Sequence, residues 1–235
     1  MEYPRQKPIF ENRFDAGRQL AEKLMQYRGK PVVVLAIPNG GVPVALQVAL
    51  ALGADLDLVI SRKLPLPLRP EGGFGAVADD GTVIYNQEMV KRMGLTQQQI
   101  SYQVSKVRGD IQQRSLLYRS SRPLSSVSEK IAIIVDDGLA SGYTMLAAVE
   151  SIRRKYPTEI VAAVPAASAL AVKKVEKVAD RVVTVVTDFS PRFYVSDHYR
   201  YWNVLSDDEG QKCLAEWRRR RYDANIKPPP KRVDY

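Results

Sequence analysis

Apolar and polar positions along the chain fall into two rhythms. The stretches Val32 to Ile37, Leu56 to Ile60, Ile131 to Val135, Glu159 to Val164 and Arg181 to Val186 have the length of strands. Their apolar residues run on without alternation, which fits strands covered on both faces. Helical spacing fills the gaps. Phe14, Gly17, Leu20, Ala21 and Leu24 mark one face of a first helix, which Gly29-Lys30-Pro31 ends. Val42 to Leu52, Thr144 to Lys155 and Ser168 to Lys177 predict three more helices. Thr96 with Gln99 forms a capping box, and Ile100, Val104, Val107 and Ile111 follow on one helical face that is flanked by Lys106, Arg108 and Arg114. Asp207 can cap a last helix running through Trp217. Between Phe74 and Tyr85, the Asp80-Gly81 pair with β-prone flanks signals a hairpin.

Strands alternating with helices predict an α/β fold, a mostly parallel sheet with helices on both faces. In such sheets ligands bind beyond the carboxyl ends of the strands. The segments Pro38 to Gly41, Ser61 to Lys63 and Asp136 to Thr144 each follow an apolar strand, so they are expected to converge on one crevice. One domain is expected over residues 1–216. It includes a helical flap or insertion at 86–128, with a Ser-rich linker from Ser120 to Ser128, and an aromatic hood at 188–206. A basic, proline-containing tail covers 217–235.

Composition narrows the chemistry. The 235 residues include one cysteine, Cys213, and one histidine, His198. An internal disulfide and a Cys/His zinc site are therefore excluded, and any metal must be held by oxygen. No apolar run is long enough for a membrane span, and Met1-Glu2-Tyr3-Pro4-Arg5 leads into polar sequence, so no secretory signal is expected and the reading is cytoplasmic. The net charge of +9 is concentrated at the end. Trp217 to Tyr235 holds seven Lys/Arg against two Asp, including Arg218-Arg219-Arg220-Arg221. Such a run is a solvated tail or a nucleic-acid contact.

The most informative segment is Ile131-Ala132-Ile133-Ile134-Val135-Asp136-Asp137-Gly138-Leu139-Ala140-Ser141-Gly142-Tyr143-Thr144. A buried strand ending in two carboxylates places both at the mouth of the crevice, where their mutual repulsion calls for a cation or hydroxyl donors. Small residues, two glycines and the hydroxyls of Ser141 and Thr144 follow, just where a helix begins. Amides at a helix N-terminus bind phosphate. Hydroxyls beside a phosphate describe a sugar phosphate.

The same stretch resembles the signature of the type I phosphoribosyltransferases: an apolar strand, two acidic residues and a small-residue loop closing in Thr-Gly-x-Thr, with Ser141 in place of the first Thr. The resemblance implies that Asp136 and Asp137 bind the ribose 2′- and 3′-hydroxyls while Ala140, Ser141, Gly142, Tyr143 and Thr144 wrap the 5′-phosphate. It makes Asn39-Gly40-Gly41 the diphosphate loop, with Asn39 where the family often has Arg or Lys. It places Arg62 and Lys63 as the catalytic cations on the leaving diphosphate. Pro70-Glu71, Gly75-Ala76-Val77, Ala163-Val164-Pro165 and Phe193-Tyr194-Val195 through Tyr199 extend it from about Phe14 to Asp208, in a branch of the family that carries no acceptor over.

The function implied is Mg²⁺-dependent transfer of the 5-phosphoribosyl group from phosphoribosyl pyrophosphate to a nitrogen acceptor, with release of diphosphate. Mg²⁺ is held mainly by substrate oxygens and water, with no dedicated protein ligands, and a homo-oligomer is expected. Phe189, Phe193, Tyr194, Tyr199, Tyr201 and Trp202 form either a stacking hood for the acceptor or a hydrophobic cap, with Asp197 and His198 as its polar edge and His198 as the candidate base. The alternatives are a non-catalytic sensor of the same donor whose basic tail contacts nucleic acid, and hydrolysis or phosphorolysis at the anomeric carbon.

Overall fold

The structure is a computed structural model that describes residues 8–67, 69–119 and 125–226. Helix α1 (Arg13–Lys23) starts at Asn12, whose side chain caps the amides of Phe14 and Asp15. Then come β1 (Val32–Ala36), α2 (Gly41–Leu52) and β2 (Asp55–Leu58). Strands β3 (Ser61–Leu66), β4 (Arg69–Ala78) and β5 (Val83–Tyr85) precede α3 (Gln87–Arg92) and α4 (Gln97–Arg119). The last part alternates: β6 (Ile131–Val135), α5 (Tyr143–Arg153), β7 (Glu159–Ser168), α6 (Ala169–Val175), β8 (Arg181–Asp188) and α7 (Asp207–Ile226).

Five strands form one parallel sheet in the order β2-β1-β6-β7-β8. The α/β expectation holds, because strands buried on both faces need helices on each side. Their residues sort by parity into two cores. Val32, Val34, Ala36, Ile133 and Val135 join Leu20 of α1 and Val44 and Val48 of α2. Val33, Leu35, Ala132 and Ile134 join Met145, Val149 and Ile152 of α5 on the other face. Phe14 departs from the expected face of α1 and is exposed. The buried residue one position earlier is Arg13.

The direction of strand succession reverses between β1 and β6, which pair from Val32↔Ile131 to Ala36↔Val135. A crevice opens at such a switch point because the chains leaving the two carboxyl ends diverge. Asn39-Gly40-Gly41 leaves β1 there and Asp136-Asp137 leaves β6.

Three expectations need correction. Ser61-Arg62-Lys63 does not close the second strand as a loop. That strand ends at Leu58, and these residues open β3 of a separate antiparallel sheet ordered β3-β4-β5, with the expected hairpin between β4 and β5. The 86–128 segment is packed rather than lid-like. Helix α4, opened by the Thr96–Gln99 capping box, buries Ile100, Val104, Val107, Ile111 and Tyr118 in the main core. Residues 120–124 of the Ser-rich linker lie outside the described residues. Finally, the expected boundary at 217 falls inside α7, so the four arginines are helical. Trp217 Nε1 donates to the Ala54 carbonyl at 3.3 Å, and Arg221 donates to the Gly53 carbonyl and pairs with Asp55 at 3.0 Å. The tail's remainder, 227–235, is outside the described residues.

Candidate donor site

The crevice is floored by the acidic pair. Asp136 Oδ1 accepts from the Asp137 amide at 2.9 Å, a contact within the turn itself. Asp137 is held from three directions. Arg13 Nε donates to its Oδ2 at 2.8 Å, the Tyr199 hydroxyl donates to its carbonyl at 2.6 Å, and Gly40 presses its backbone against the carboxylate. Burial, together with the charge of Asp137, pushes the Asp136 carboxyl well above the ordinary carboxylate range. Burial raises Asp137 too, and the Arg13 cation opposes that rise. A pair shifted this way favours a ligand that brings hydroxyl donors or positive charge.

The loop beyond the pair is braced by β7. Leu139 donates to Ala166 and Ser168 to Leu139, each at 2.9 Å, and Ser168 Oγ donates to the Ala140 carbonyl at 2.8 Å. Gly142 takes a left-handed φ of +87°, which lets the chain turn into α5. Because Gly142 offers no capping side chain, the first-turn amides of α5 face a site with an exposed Ser141 beside it. Four such amides lack helical partners and favour an anion. Lys174 of α6 stands beside the loop, with Nζ 3.4 Å from the Ser141 carbonyl and 5.0 Å from the Tyr143 ring centroid.

The first loop is also fixed. Asn39 Nδ2 donates to the Leu205 carbonyl at 2.8 Å, while its Oδ1 accepts from the Tyr118 hydroxyl at 3.1 Å. Both ends of the Asn39 side chain are therefore engaged, and the buried Gly41 donates its amide to the Ile37 carbonyl at 3.0 Å, so Gly40 is the less buried glycine of the turn. Gly41 approaches the Val135 carbonyl so closely that a Cβ would sit 2.5 Å from it.

The structure separates Arg62 from Lys63. Ser61 Oγ donates to the Thr144 carbonyl at 2.9 Å, joining the start of β3 to the first turn of α5. Burial and the neighbouring Arg114 lower the Arg62 pKa, with Asp110 and Asp207 opposing them. Arg62 thus belongs to a charged cluster shared by α4 and α7. Lys63 turns elsewhere, donating to the Glu71 carbonyl at 2.8 Å.

The hood divides in two. Tyr199 is buried against Phe10 and Trp202, whereas Phe189, Tyr194 and Tyr201 are exposed. His198, the candidate base, is 4% exposed, with Nε2 3.5 Å from Asp188 and Nδ1 3.3 Å from the Tyr194 carbonyl. A ring so enclosed is placed to support the hood rather than to meet an acceptor.

Sequence reasoning missed Arg13, Tyr118 and Lys174. Tyr118 had a signal, for it stands seven residues after Ile111 on the same helical face. A solitary arginine at the start of a helix gives none, since its partner lies 124 residues away.

Known proteins bear on this arrangement directly. A family model described as the phosphoribosyl transferase domain matches residues 77–196, about half of the chain and including the whole acidic loop. The chain belongs to this phosphoribosyl transferase family. The crystal structure of TT1426 from Thermus thermophilus is similar, with a TM-score of 0.71 and 32% identity over 88% of this chain and 98% of that one. Two Mycobacterium tuberculosis proteins from different strains, both provisionally named phosphoribosyl transferases, are 40% identical over 201 residues, 86% of this chain. The chain spans 45% of the length of each of these relatives.

Proposed function

We propose that the chain is a phosphoribosyltransferase that binds phosphoribosyl pyrophosphate with Mg²⁺ and transfers the 5-phosphoribosyl group to a nitrogen acceptor. The observation that carries this reading is the junction of two loops at one switch point. Asp136-Asp137 and the open N-terminus of α5 provide for a ribose phosphate, and Gly40, lying against Asp137, brings the diphosphate loop alongside. Ribose hydroxyls donate to the acidic pair, and the amides from Ala140 to Thr144 take the 5′-phosphate. The backbone of Asn39-Gly40-Gly41 takes the diphosphate.

In the reaction the C1–oxygen bond to diphosphate breaks as a bond forms from the acceptor nitrogen to C1, and the acceptor's proton leaves to solvent. Negative charge develops on the departing diphosphate, where a fixed cation stabilises the transition state more than the ground state. We assign this cation to Arg62, half-buried in the charged cluster with Asp110, Arg114 and Asp207. Lys63 joins it only by releasing the Glu71 carbonyl. Mg²⁺ would be held mainly by substrate oxygens and water, and when bound it would supply charge neutralisation of the diphosphate. The chemistry needs no covalent nucleophile, and Cys213 is unsuited to be one, buried in the core with its thiol pushed up to about 11.

For the sensor reading, Arg221 is tied to the fold through Asp55, while Arg219 and Arg220 pair with Glu216 of their own helix and stay more than half exposed. No described helix is long and apolar enough to cross a membrane, and a cytoplasmic site suits a soluble phosphorylated substrate. Incubation with donor, Mg²⁺ and a panel of nitrogen heterocycles, following diphosphate release, tests the proposal. Release that depends on the acceptor supports it. Release with water alone indicates hydrolysis, and no release with any acceptor leaves donor binding without transfer, which refutes the enzymatic reading.

A further inference from the structure

We infer that Arg13 is a positioning residue of the donor site, fixing Asp137 as the charge-compensated member of the acidic pair and tying it to the hood. The inference rests on the donor reading above and assigns the two carboxyls different work. The side chains of Arg13 and Asp137 are only 7% and 15% exposed, and the pair is made through Nε at 2.8 Å. Arg13 is itself held: its Nη1 donates to the Asn203 carbonyl at 3.0 Å, and its guanidinium lies 3.8 Å from the Trp202 ring centroid and 5.9 Å from that of Tyr199. The hood segment that supplies these contacts is laced to the chain just before α1. Ile9 and Phe10 donate to His198, Arg200 donates to Phe10, and Tyr201 donates to Glu11, at 2.8 to 3.0 Å. Two segments remote in sequence thus act as one clamp on Asp137.

Asp136 has no such clamp. Among the described residues its side chain accepts from the adjacent Asp137 amide and faces the Asp137 carboxyl, and Arg13 acts on it as a neighbouring charge without a hydrogen bond. Among the described residues the groups facing Asp137 are Arg13 from α1, Asp136 from its own turn and Tyr199 from the hood, and Arg13 is the cation of the three. A crevice that takes up a phosphate and a diphosphate cannot tolerate two uncompensated carboxylates on its floor. A guanidinium, which stays protonated across the working range, solves this for one of them permanently. Asp136 is left as the carboxyl that answers to the ligand, accepting ribose hydroxyls when they arrive. A lysine would keep the charge but could not bond Asp137 and Asn203 at once while lying flat on Trp202.

The test is calorimetric binding of phosphoribosyl pyrophosphate with Mg²⁺, from pH 5.5 to 8, to wild type, Arg13→Met, Arg13→Lys, Asp137→Asn and the Arg13→Met/Asp137→Asn double variant. Melting of the same proteins without ligand runs alongside. Arg13→Met should weaken donor binding about tenfold or more at pH 8, with the defect shrinking as pH falls, because without Arg13 nothing opposes the upward push of burial on Asp137. The double variant should bind better than Arg13→Met alone, and Arg13→Lys should fall between Arg13→Met and wild type. A pH-independent defect, or strictly additive losses in the double variant, would overturn the role of Arg13. Failure of the wild type itself to bind the donor would instead overturn the donor reading, and the ligand-free melting cycle would still report whether Arg13 and Asp137 are coupled.

Discussion

Gly40 and the carboxylate of Asp137 are in such close contact that no Cβ fits between them. This contact joins the loop after β1 to the loop after β6, and Arg13 prevents the carboxylate from swinging aside. Gly40→Ala should therefore strain the loop after β1 against a fixed carboxylate rather than be absorbed by it. The expected cost is about 1–3 kcal/mol in stability, as for other overpacked sites, with donor affinity falling by an order of magnitude or so. Gly41→Ala meets the Val135 backbone instead, which cannot rotate away, and should lower the melting temperature more. Calorimetry and thermal melting of the two variants check the order.

Asp136→Asn should separate stability from function. Burial and Asp137 raise the Asp136 pKa, so the folded state favours its protonated form. The sign follows from linkage: stability contributed by this group is full below its unfolded pKa of about 3.9 and is lost as pH rises through the higher folded value. At pH 7 the wild type bears that loss and the asparagine variant does not. The variant should melt higher than wild type at pH 7, with the gap closing toward pH 4, while its donor affinity falls. A lower melting temperature at pH 7 would show that the carboxylate is stabilised by contacts beyond those seen.

Tyr118→Phe removes one hydrogen bond to Asn39 together with the hydroxyl that lies against Gly210, and keeps the ring in the core. The loss should be about 0.5–1.5 kcal/mol of stability. Because Asn39 would then be held only by Leu205, diphosphate affinity should fall while 5-phosphoribose, which lacks the diphosphate, binds as before. Competition binding with the two ligands distinguishes a loosened first loop from a general collapse of the crevice.

Arg62→Met should lower turnover by about 10²–10³, the scale seen when a single group that stabilises developing charge is removed. The effect should fall on kcat more than on KM, since the charge it meets grows during the step. Lys63→Met should change turnover far less, because its ammonium is occupied at Glu71.

The sheet was legible because Val32 to Ile37 and Ile131 to Val135 are apolar without interruption, a pattern that only a doubly covered strand sustains. The acidic loop was legible because strand, carboxylates, glycines and hydroxyls are contiguous. The rest depends on contacts between distant segments. Arg62 and Lys63 look equivalent as neighbours, yet adjacent positions in a strand face opposite ways, and only the β3–β4 pairing decides which faces α4. The helix within 86–128 was legible from its apolar spacing, but its docking was not: Tyr118 anchors the helix end at Asn39, 79 residues away. The arginines of α7 read as a tail because nothing local pairs Arg221, whose partner Asp55 is 166 residues away.

The central claim is that residues 136–144 hold the phosphoribosyl donor. Titration of phosphoribosyl pyrophosphate with Mg²⁺ into wild type and into Asp136→Asn/Asp137→Asn, with circular dichroism to confirm that both are folded, tests it most directly. Saturable binding of one donor per chain by the wild type, abolished or weakened at least a hundredfold in the variant, is the predicted result. Equal affinity in the two proteins, or none in the wild type, would contradict it.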